Sequence, residues 1–100
     1  MRQAWINKLR DLLAEFTSST LHYWQTGFED RTEEEYQRLT LLQTRIHLML
    51  NPTEEDHRNL ESLMDRMVNA LDPDSREYPD LHPEVTKLSR RILKLSLIHI

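Results

Sequence analysis

Apolar residues recur at steps of three and four along most of the chain, the spacing of helices that bury one face. Trp5, Ile6, Leu9, Leu12, Leu13, Phe16, Leu21 and Trp24 form the first stripe, with Lys8, Arg10, Asp11 and Glu15 beside or opposite it. Thr17-Ser18-Ser19-Thr20 is weak helix material, so a fray or kink is expected there. Gly27 then supplies a C-terminal stop. Thr32-Glu33-Glu34-Glu35 has the form of a capping box, and its three acids suit the positive end of a helix dipole. Tyr36, Leu39, Leu42, Ile46 and Met49 follow as the second stripe. Asn51-Pro52 ends that helix, because proline disfavours a helical conformation in the residue before it.

Thr53-Glu54-Glu55-Asp56 predicts a third helix opened by the same capping chemistry, with Leu60, Leu63, Met64, Met67, Val68 and Leu71 as its stripe. Two helices of about 18 residues, each roughly 27 Å long, joined by so short a link predict an antiparallel hairpin. In it Leu39, Leu42, Ile46 and Met49 face Leu60, Leu63, Met67 and Leu71, and Met49 lies near Leu60. The turn formers of Asp72–His82 interrupt the pattern, and Pro83 fits the first position of a fourth helix. That helix carries Val85, Leu88 and Ile92 inward and Lys87, Arg90, Arg91 and Lys94 outward. The pattern contains no strand candidate. The expected fold is all-α, an antiparallel bundle of three long helices plus a truncated fourth, in one domain over residues 1–94.

Residues 95–100, Leu-Ser-Leu-Ile-His-Ile, stand apart. They match one reading frame of a transposon adapter used to build sequencing libraries, which predicts adapter read-through and not native sequence. On that reading the native chain continues past Lys94. The competing reading is a natural apolar helix end, since Leu95 continues the spacing of Leu88 and Ile92.

Composition narrows the chemistry. The 100 residues are 38% hydrophobic and 30% charged, with one glycine, no cysteine and net charge −4. The absence of cysteine rules out disulfide scaffolds and thiolate metal sites. One glycine argues against glycine-rich phosphate loops, and the acidic balance argues against general nucleic-acid binding. Glu54-x-x-His57 has the spacing of half a di-iron carboxylate site, but no second such motif exists. A solvated helix start accounts for it. No His-Glu-x-x-His or Gly-x-Ser-x-Gly is present. Paired carboxylates at 33–35 and 54–56 act first as dipole partners. Met64 and Met67 share the stripe of Leu60, Leu63 and Leu71, so core packing accounts for them before an adaptable binding surface does. The basic cluster of Lys87–Lys94 suits a solvated face near a helix C-terminus, with anionic lipid or nucleic acid as the alternative. These readings assign no catalytic, cofactor-binding or metal residue and no cofactor.

Trp5 among Arg2, Lys8 and Arg10 reads either as a core tryptophan or as the cytosolic flank of a transmembrane helix. Arg2-Gln3-Ala4-Trp5-Ile6-Asn7-x-Leu9-Arg10, followed by Ala14-Glu15-Phe16, resembles a group of uncharacterised small bacterial membrane-anchored proteins. In them one transmembrane helix leads into a helical cytosolic segment. Arg45-Ile46-x-Leu48-x-Leu50-Asn51-Pro52-x-Glu54-Glu55-Asp56-His57 is similar to the same group's helical hairpin. The resemblance covers most of residues 2–71 and implies a fold and a location, not an activity. This sequence departs from the group in having no stretch of about 20 apolar residues. Either Met1 is an internal start on a fragment, or this member is soluble.

The expected function is a non-enzymatic helical interaction module, the cytosolic part of a membrane-anchored bacterial protein. Its partner would be another protein or a second copy, without nucleic acid, and its membrane contact would come through a missing N-terminal anchor. It would lie on the cytoplasmic side of the inner membrane, or in the cytoplasm. The alternatives are a soluble partner-binding or self-associating bundle without an anchor, and an enzyme whose site has no sequence signature.

Overall fold

The stripes collapse into four helices. The computed structural model describes residues 2–26, 28–72 and 74–98, which contain α1 (Arg2–Gln25), a 3₁₀ turn (Phe28–Asp30), α2 (Glu33–Met49), α3 (Glu55–Asn69) and α4 (Tyr78–Ile98). No strand occurs among the described residues. The fold is an all-α bundle, 46 Å along its longest axis.

Paired side chains give the helix directions. Arg38 meets Glu15 at 2.6 Å and His22 meets Glu35 at 3.7 Å, so α1 and α2 run antiparallel. Arg66–Glu77 and Arg91–Asp56, at 2.6 and 3.2 Å, show the same for α3 and α4. Tyr78 reaches Thr20 near the end of α1, while Trp5 and Ser96 line one recess, so α1 and α4 are also antiparallel. The result is an up-down-up-down bundle. Its core joins Leu9, Leu13 and Phe16 of α1, Leu39 and Ile46 of α2, Leu60 and Met64 of α3, and Leu81, Val85 and Ile92 of α4.

The expected hairpin register is present. Gln43 donates to Asp65 at 2.6 Å and His47 lies 3.1 Å from Glu61, which sets Met49 beside the start of α3 and far from Leu71. The two helices are not each other's main support, however. The α2 backbone packs most closely on α1, and that of α3 on α4, leaving a cleft between α2 and α3.

Several local expectations change. Thr32 caps α2 as expected, accepting the Glu35 N–H at 3.1 Å, but its hydroxyl donates to the Glu35 carboxylate, 3.2 Å away. Thr53 does not cap α3. The N-cap is Glu54, without a side-chain cap bond, because Asn51 Oδ1 takes both the Thr53 N–H and its hydroxyl, at 3.0 and 2.8 Å. The fourth helix starts at Tyr78, not Pro83, which lies inside it. Pro79 is tolerated in a first helical turn, where its missing N–H is not needed. Burial of Tyr78 and Leu81 then favours helix in this segment.

The Thr17–Thr20 stretch does not interrupt the helix. Thr17 and Thr20 donate to the Leu13 and Thr17 carbonyls, and Thr20 is buried. Gly27, the expected stop, lies outside the described residues. The α4 helix continues through residues 95–98, with Leu95, Leu97 and Ile98 exposed.

Candidate functional surface

Two polar clusters occupy the interior of the bundle. At the end where α1 stops, the Tyr78 hydroxyl donates to Thr20 Oγ1 at 2.9 Å. The Thr20 hydroxyl lies 3.1 Å from the Thr17 carbonyl and 3.4 Å from Met67 Sδ. Trp24 stacks on Tyr78 with ring centroids 5.1 Å apart. Burial pushes the Tyr78 phenol up to about 12, because a phenolate there would lose its water, while the Thr20 hydrogen bond opposes the rise. The phenol is thus held protonated and enclosed, packed between α1, α3 and α4.

At the opposite end His57 is buried, with its side chain 7% exposed. A solvated helix start was expected there. Its Nδ1 accepts the Asn51 N–H at 2.9 Å, and Nε2 lies 3.1 Å from Glu54 Oε2. These partners place the proton on Nε2, which donates to the carboxylate. Trp5 stacks on the imidazole at 6.3 Å, tilted by 11°. The ring therefore joins α1, the α2–α3 turn and the start of α3. The sequence signal was the Glu54-x-x-His57 spacing, but it denotes an i,i+3 pair closing a helix start. Trp5, Met49, Asn51, Glu54, His57 and Ser96 line a recess of about 360 Å³ at this end, open to solvent.

Arg31 was not singled out by the sequence. Its Nε donates to the Tyr23 and Thr26 carbonyls, and Nη2 to that of Trp24, at 3.0 to 3.4 Å. Its guanidinium lies 4.3 Å from the Tyr23 ring centroid. A cation thus occupies the negative end of the α1 dipole. The only signal was an arginine shortly after a helix stop.

The cleft between α2 and α3, about 260 Å³, is lined by Gln43, Thr44, His47, Glu61, Met64 and Asp65. Its polar groups already bridge the two helices through the Gln43–Asp65 and His47–Glu61 contacts. Among the described residues no group of three or more His, Asp or Glu side chains is placed to hold a metal ion. Met64 and Met67 are buried, as core packing requires.

Up-down-up-down order sorts the charges by end. Glu29, Asp30, Glu33, Glu34, Asp74 and Asp80 cluster where α1 and α3 stop and α2 and α4 begin. Lys8, Arg10, Arg90, Arg91 and Lys94 lie toward the other end, with Lys87 near the middle of α4. Asp11, Glu54, Glu55, Asp56 and Glu61 lie toward that end too, but Glu54, Asp56 and Glu61 engage His57, Arg91 and His47. Among the described residues the two most exposed large apolar side chains, Leu48 at 77% and Ile98 at 64%, lie toward that end, on different helices. No known protein family, curated protein or solved structure matches the chain.

Proposed function

We propose that this chain is a non-enzymatic helical interaction module, the cytosolic part of a membrane-anchored bacterial protein. The observation that carries the reading is how its polar groups are used. The buried Tyr78, Thr20 and His57 are committed to packing and helix-end bonds, while the outer surface is divided by charge along the bundle axis. Trp5 packs against the core and His57, but Lys8 and Arg10 remain exposed near the start of α1, where a preceding anchor would place them toward the headgroup layer on the cytosolic side. No helix among the described residues is long and apolar enough to cross a membrane, so the reading places the anchor outside this chain.

Fractionation of the natural full-length product tests it. The product should sediment with membranes and resist a high-salt wash. Protease should cut the link between α3 and α4 only when the cytosolic face is accessible. A product that stays in the supernatant at both low and high salt removes the membrane reading.

A second reading, self-association of a bundle without an anchor, is favoured by Leu41 and Leu48. They are exposed and lie seven residues apart on the outer face of α2. Sedimentation of the chain over a range of concentrations distinguishes it, because a dimer closed over this face would dissociate in a Leu41→Ser/Leu48→Ser variant.

A further inference from the structure

We infer that the basic end of the bundle is a docking surface for an anionic lipid bilayer, with the cations of α4 as its principal contacts. From Val85 to Ile98, α4 carries Lys87, Arg90, Arg91 and Lys94 and no acidic residue. Arg91 is engaged by Asp56, but Lys87, Arg90 and Lys94 have no carboxylate within 4 Å among the described residues. They share the outward face of α4, opposite buried Val85 and Ile92. Antiparallel packing places the start of α1, with Arg10, beside the last turns of α4. An exposed stripe of cations without acids among them fits an anionic headgroup layer, which attracts it.

The remaining surface selects the orientation. The opposite end presents Glu29, Asp30, Glu33 and Glu34, which an anionic bilayer repels. Arg31, Arg38, Arg66 and Arg76 also lie toward that end, but acids outnumber them, so the basic end is favoured and the charge division acts as an orienting dipole. A nucleic acid fits less well, because the free cations form one short stripe without an aromatic platform among them. A second copy docked basic end to acidic end would leave both outer ends open and polymerise. The inference deepens the proposed function and rests on it for biological context. The tests fail separately: fractionation reports an anchor outside this chain, whereas vesicle binding is a property of these 100 residues.

The test is co-sedimentation of the full 100-residue chain with vesicles of phosphatidylcholine alone or with about one third phosphatidylserine. Binding should be weak, confined to the anionic vesicles and lost at high salt. Replacing Lys87, Arg90 and Lys94 together by glutamine should weaken partitioning by about fivefold per charge, on the order of 100-fold in all. These side chains are exposed, so the helical circular dichroism should not change. A Leu97→Ser/Ile98→Ser variant should keep most of the binding, which separates the cations from the apolar tail.

Equal binding to neutral vesicles, or none to anionic ones, overturns the inference. So does binding abolished by the Leu97→Ser/Ile98→Ser change while the cations remain. Retention on a single-stranded oligonucleotide at salt that releases the vesicles overturns it in favour of nucleic acid. Concentration-dependent polymers without lipid, dissolved by the triple glutamine variant, overturn it in favour of a second copy.

Discussion

Tyr78 and Ser89 show opposite fates for a hydroxyl in the same core. The Tyr78 hydroxyl has a partner in Thr20, whereas Ser89 Oγ is buried with none among the described residues. Tyr78→Phe should cost about 1 kcal/mol near neutral pH by removing that bond. It should also change the alkaline limit of stability. The folded phenol titrates at about 12 against an ordinary value of 10. Its contribution is therefore complete below pH 10 and is lost as the pH rises from 10 to 12, because only the unfolded chain ionises readily there. The loss is on the order of 2 kcal/mol. Thermal melts across that window should show a steeper decline for the native chain than for Tyr78→Phe. Ser89→Ala should instead be neutral or stabilise by up to about 1 kcal/mol, since it removes an unpaired buried oxygen and improves helix propensity. A fall in melting temperature for Ser89→Ala would mean that the hydroxyl is bonded.

The helix starts differ in what holds them. Thr32 accepts a backbone N–H of α2, so Thr32→Ala should cost about 1 kcal/mol. Thr53 makes no such bond, and Thr53→Ala should cost clearly less in the same denaturant titration. Asn51 holds the α2–α3 turn by taking both Thr53 donors. Asn51→Ala should therefore exceed Thr53→Ala in cost, reversing the order that a threonine capping box implies. In α4, Pro83 leaves the Pro79 carbonyl without its intrahelical donor. Pro83→Ala, at an exposed position, should raise the melting temperature by several degrees, as about 1 kcal/mol does in a domain of this size.

At the scale of the whole molecule, the tail and the charge division are the open properties. Leu95, Leu97 and Ile98 extend α4 but remain exposed, so they add little burial. Removing residues 95–100 should leave the melting temperature nearly unchanged and improve solubility. A large loss of stability would make the tail part of the core and remove the adapter reading. The division of charge depends on chain order: four alternating helices bring the chain back to the end where it began, placing Arg10 and Lys94 on one side of the molecule.

Much of the architecture was legible locally. Helical class, four stripes, the Thr32 cap and the antiparallel register of α2 and α3 follow from three- and four-residue spacing and a short link, which act over neighbouring residues. Other features required residues distant in sequence to meet. Thr20 and Tyr78 keep a weak threonine stretch in continuous helix and move the start of α4 five residues ahead of Pro83. Trp5 encloses His57, so a motif that reads as a solvated helix start becomes a buried joint. Arg31 caps α1 only because the intervening turn folds it back. Burial is decided by what packs on a side chain from elsewhere in the chain, and helical periodicity specifies the face that is covered but not the partner that covers it.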